Sequence, residues 1–186
     1  MRIGLIPTSI LRQEHEVILR ALDLLERAGQ RLRAREPVDR VGLAWLVEFF
    51  RTFVDRRHER KEEKYLFPAL ERHGVPRAGG PLGVLLNERA GSRGLLRVMG
   101  RGSDRQVAAA IRSYVALVRH HIEKENGVLL PLTDQVLPLD EQQALGRVFS
   151  ALDEGAGGPD LHERMLNRLA GLEAHNEGNS LWEERK

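Results

Sequence analysis

Two stretches of the chain are written in one frame. His58 is followed by Glu62 four residues on and by Pro68 ten residues on. His121 is followed by Glu125 and Pro131 at the same distances, and a lysine, Lys61 or Lys124, stands immediately before each glutamate. Residues four apart share one face of an α-helix, with Cβ atoms roughly 5–6 Å apart. Each couple can therefore aim an imidazole nitrogen and a carboxylate oxygen at one point.

Such a frame needs helices with an inside, and the remaining sequence supplies them. Glycine and proline clusters at 36–37, 73–81, 100–104, 138–140 and 155–159 mark turns. The segments between are rich in Leu, Ala, Arg and Glu, which favour helix. Helices are predicted at about 8–35, 38–72, 81–100, 104–134, 140–153 and 160–178. Apolar residues recur at helical spacing in the first four. The stripes are Leu11, Ile18, Leu22, Leu25 and Leu32; Leu46, Phe50, Phe53, Val54 and Ala69; Leu85, Leu95, Leu96 and Met99; and Ile111, Val115, Val118, Ile122, Val128 and Leu132. Short connections favour antiparallel neighbours. The expectation is an all-α chain forming one domain over 1–186. Its core would be an up-down-up-down four-helix bundle over about 8–134, with additional C-terminal helices over about 140–178.

Histidine and glutamate interrupt these stripes. His15 lies between Leu11 and Ile18, His58 follows Val54 by four, and His121 follows Val118 by three. A buried carboxylate without a partner costs several kcal/mol, so such groups are normally paired or metal-bound. Two glutamates and three histidines in one bundle core call for cations, which a metal would supply. In the expected topology the second and fourth helices run parallel, bringing both couples to one depth. His15, about seven residues into its helix, would match that depth, and so would Glu88-Arg89 on the third helix. His73, His120, His162 and His175 are expected on the surface or in ordinary packing.

Composition excludes several other classes. With 41% hydrophobic and 30% charged residues, the 186-residue chain reads as a water-soluble globule. No apolar run approaches the roughly 20 residues that cross a bilayer. The start, Met1 to Pro7, is too short before its proline to read as a secretory signal, so cytoplasm is the default compartment. Cysteine is absent, which excludes disulfides, zinc ribbons and thiol catalysis. The net charge is only +2, and acids alternate with bases across residues 59–64, so no nucleic-acid face is expected.

The sequence resembles the bacterial hemerythrin-like (HHE cation-binding) family. The likeness lies in Pro7-Thr8-Ser9-Ile10-Leu11 through Glu14-His15, in His58 through Lys61-Glu62-Glu63 to Pro68, in Gly80 to Val84, and in His121 through Lys124-Glu125 to Pro131. His162-Glu163-Arg164 also looks like a family feature. The resemblance implies two irons bridged by Glu62 and Glu125, with His15, His58 and His121 as terminal ligands. It implies a small oxidant (O2, peroxide or nitric oxide) as the partner. The chain departs from the pattern at Arg89, where the family carries histidine. Arginine offers no lone pair and cannot ligate. Three outcomes stay open. Glu59, at a position often histidine in relatives, or water could complete a two-iron site. One ion could be held by His15, His58 and the carboxylates. Or Arg89 could pair with Glu62 or Glu125 and replace metal charge in a degenerate site. Carrier, sensor and an enzyme detoxifying peroxide or nitric oxide are all compatible with the leading function. The alternative is a metal-free structural or interaction bundle. The sequence leaves the oligomeric state open.

Overall fold

Helix starts in this chain are set by residues that spare or satisfy free N–H groups. The computed structural model describes residues 6–155 and 163–174, which form six helices and no strand. Helix α1 (Pro7–Ala34) and helix α3 (Pro81–Met99) open on proline, whose missing N–H costs nothing in a first turn. Helix α2 (residues 40–72) starts after Asp39, whose carboxylate accepts from Val41 N–H at 3.0 Å and Gly42 N–H at 2.9 Å. Helix α4 (residues 104–136) starts after Ser103, whose N–H donates to the Gln106 side chain at 2.9 Å. Helices α5 (Leu139–Gly155) and α6 (residues 163–174) follow. His162 and His175 lie outside the described residues.

The duplicated frame carries a duplicated backbone. Within α2 and α4 the winding loosens to π geometry over Glu62–Leu66 and Glu125–Leu129, and α2 also does so over Phe50–His58. Phe67 N–H donates to Glu62 O, and Leu130 N–H to Glu125 O, each five residues back. These two donors stand directly before Pro68 and Pro131. A proline in mid-helix lacks its own donor and crowds the carbonyl four residues back, and a wider turn absorbs both defects.

One member of the expected apolar stripes lies outside. Val128, expected inside, is 53% exposed, whereas Leu129 and Leu130 are fully buried. Val128 stands six residues after Ile122, about 120° off its stripe, whereas Leu129, seven after it, falls on the stripe.

Helix α1 packs along α4, α3 packs along α4, and the middle of α2 touches both α1 and α3. Gly29 permits the first of these approaches: a Cβ there would lie 2.6 Å from Ile111 Cγ2. Two apolar clusters fill the interior. One gathers Ile18, Leu22, Phe50, Val54, Leu96, Val115 and Ile122; the other gathers Leu11, Leu66, Phe67, Leu85, Leu129 and Phe149. On all four long helices a polar stretch separates the two clusters. Helix α5 lies against α1 and sends Phe149 into the second cluster. Leu169 of α6 is buried in the first. Among the described residues, no helix is long and apolar enough to cross a membrane.

Candidate metal centre

The polar layer converges on a single point. His15 Nε2 lies 3.3 Å from His58 Nε2 and 3.0 Å from Glu125 Oε2. His58 Nε2 lies 3.5 Å from Glu62 Oε2 and 4.0 Å from Glu125 Oε2. One ligand atom from each of His15, His58, Glu62 and Glu125 falls within 4.8 Å of all the others, and all four residues are buried. His121 stands across Glu125 from them, its Nε2 2.8 Å from Oε1.

Glu59 is not part of this convergence. Its Oε2 accepts from Arg93 Nη2, and Arg93 also reaches Glu63 at 3.1 Å. Arg89 does reach the centre. Its Nη2 pairs with Glu62 Oε2 and lies 3.0 Å from Glu125 Oε1, while its guanidinium carbon sits 5.0 Å from the centre of the Phe67 ring.

Each inward histidine is fixed by its other nitrogen. His58 Nδ1 lies 2.9 Å from Glu14 Oε2, His121 Nδ1 lies 2.9 Å from Glu88 Oε2, and His15 Nδ1 lies 2.9 Å from Asn126 Oδ1. An acceptor at Nδ1 turns Nε2 inward, as outer carboxylates do for metal-bound imidazoles. Lysines lock the carboxylates in turn: Lys61 bonds Glu14, and Lys124 bonds Glu88. Lys61 is completely buried and also meets Asp153 Oδ1 of α5 at 2.6 Å.

The family model for the hemerythrin HHE cation-binding domain matches residues 6–133. The chain belongs to the hemerythrin HHE cation-binding family. Curated relatives include uncharacterised proteins of Mycobacterium bovis and Mycobacterium tuberculosis. Each is 22% identical over 171 residues, covering 88% of this chain and 67% of the relative. No solved structure gives a significant match. The HHE match spans α1 to α3 and most of α4, so Asp153 comes from outside it.

Charge in this HHE centre is balanced within the layer. Burial would raise the Glu125 carboxyl, but the His121 charge and the imidazoles of His15 and His58 hold it well below its usual range. Burial and the neighbouring charge of Glu125 push Glu62 up, against the pull of Arg89 and His58. Burial would lower His58, but the charge of Glu62 and contacts with Glu125 and Glu14 outweigh it and raise the imidazole to about 10. Glu14 settles at about 2, because its bonds to His58 and Lys61 overcome burial.

The outer residues Glu14, Glu88, Asn126 and Asp153 were not identified from sequence. One signal was present for the first two: Glu14 immediately precedes His15 as Glu88 precedes Arg89, and a lysine precedes Glu62 and Glu125 alike. Asp153 carries no local signal. His120 is 65% exposed, and His73 pairs with Glu141 at 2.7 Å at the surface, as expected of both.

Proposed function

We propose that the chain is a non-haem iron protein that binds or reduces a small oxidant such as O2, peroxide or nitric oxide. Its ion would be held by His15, His58, Glu62 and Glu125 in the middle layer of an up-down-up-down bundle. The observation that carries this reading is the set of inward atoms left without hydrogen bonds. Among the described residues, Glu62 Oε1, Glu125 Oε2 and His121 Nε2 are buried and make none, although ion-pair distances surround them. Buried polar atoms are normally satisfied. Buried donor atoms left unsatisfied beside such a cluster are what a bound cation would satisfy. Two imidazoles with carboxylates suit iron, whose sites of this type keep positions open for oxidants.

When bound, iron would supply the electron and the open coordination position. The chain's own residues orient the ligands. Glu14 and Asn126 fix the His58 and His15 rings. A cavity of about 10 Å3 adjoins the centre, lined by residues that include Ile18, Val54, Ile122, Arg89, His121 and Glu125. That volume suits roughly one water-sized molecule, in keeping with a ligand of a few atoms.

The test is metal analysis and a visible spectrum of protein grown in iron-supplemented medium. Iron should be present in stoichiometric amount, be lost in His58→Ala, and persist in His120→Ala. Peroxide added to iron(II)-loaded protein should change the near-ultraviolet spectrum in stoichiometric proportion. Iron-free protein, or equal iron in both variants, would overturn the metal site; an unchanged spectrum would overturn the oxidant chemistry.

A further inference from the structure

The bundle is two copies of one plan. On α1 and α2, Glu14 binds His58 and Lys61, while His15 and Glu62 complete the half. On α3 and α4, Glu88 binds His121 and Lys124, and Glu125 takes the place of Glu62. Even the wide turns before Pro68 and Pro131 repeat. The halves differ where His15 is matched by Arg89.

We infer that this chain holds a single metal ion, on the α1–α2 side, and that the Arg89 guanidinium stands as a permanent cation where a second ion would sit. This rests on the metal-binding function proposed above.

Arg89 occupies the space itself. Its Nη2 lies between Glu62 Oε2 and Glu125 Oε1, the two carboxylates that a second ion would have to share. A guanidinium stays protonated and has no lone pair to offer, so it blocks the position and cannot serve it. It also has no easy exit. The side chain is 1% exposed, backed by the Phe67 ring, and tied to Glu63 at 3.3 Å. Arg93, one turn on, removes the remaining candidate ligand by pairing with Glu59. What is left for a second ion is His121 Nε2 and two carboxylates that each already hold Arg89 through one oxygen, too few donors beside a fixed positive charge. The first position keeps its full set of His15, His58, Glu62 and Glu125.

The experiment is reconstitution of the full chain with iron(II) without oxygen, followed by metal counting and, after oxidation, electron paramagnetic resonance. The wild type should bind one iron and give an isolated high-spin ferric signal accounting for every iron. Arg89→His should bind two, and Arg89→His with His121→Ala should return to one. Two irons in the wild type with a silent ferric state, as a coupled pair gives, would overturn the inference and leave the metal-binding function standing. So would a folded Arg89→His protein that binds only one. The wild-type resonance decides the matter if that variant does not fold. No iron in the wild type would overturn the metal-binding function itself.

Discussion

Glu14 accepts from His58 through an Nδ1···Oε2 contact of 2.9 Å, and both groups are buried. The same separation recurs between Glu88 and His121. The repetition identifies an outer carboxylate as part of the construction of each half. Such groups orient the ring and raise its basicity toward an ion.

Glu14→Gln should therefore weaken metal binding on the order of 10-fold without abolishing it, since outer-shell substitutions typically cost 10–100-fold. Competition with a chromophoric chelator measures the change. An affinity equal to the wild type would show that Glu14 serves only Lys61.

Asp153 ties α5 to the centre by accepting from Lys61 at 2.6 Å and from Arg57 at 2.9 Å. Arg57 and Lys61 are both buried, so removing their shared acid leaves charge with less compensation. Asp153→Ala should cost on the order of 2 kcal/mol, below the full value for a deeply buried pair because Asp153 is 30% exposed. Urea unfolding followed by circular dichroism reads this directly. Leu139→Ala, at a position 64% exposed on the same helix, should change little.

Asp55 offers a pH test at a carboxyl outside the proposed ligand set. Burial and the nearby charge of Glu59 raise its carboxyl to about 7, and its Oδ1 makes no hydrogen bond among the described residues. The folded chain thus keeps a proton that the unfolded chain releases near pH 4. Stability should fall as pH rises from about 4 to about 7 on this account. Asp55→Asn should match the wild type below pH 4 and melt higher at pH 8. A melting difference that does not change with pH would refute the assignment.

Much of the fold was legible because helical periodicity is local. Leu11 to Leu32 on α1 and Leu46 to Val54 on α2 are buried as their spacing requires. Val128 is exposed because it stands six residues after Ile122, off that residue's face, while Leu129 at seven is buried. The inward histidines were readable for the same reason as the stripes. The diversion of Glu59 was not, since it depends on Arg93 reaching from another helix.

The sequence alone determined which side chains share a face: the two imidazole–carboxylate couples, His15 among leucines, and an arginine where the other half carries a histidine. Spacing along a helix is a short-range property, so a linear pattern contains it. Tertiary structure decided which of those faces meet. It set Arg89 between Glu62 and Glu125 and sent Glu59 to Arg93. It also brought Asp153 to Lys61 across 92 residues of chain. Charge pairing across helices depends on distances that only packing fixes, and at this centre those distances decide which carboxylates Arg89 and Arg93 hold.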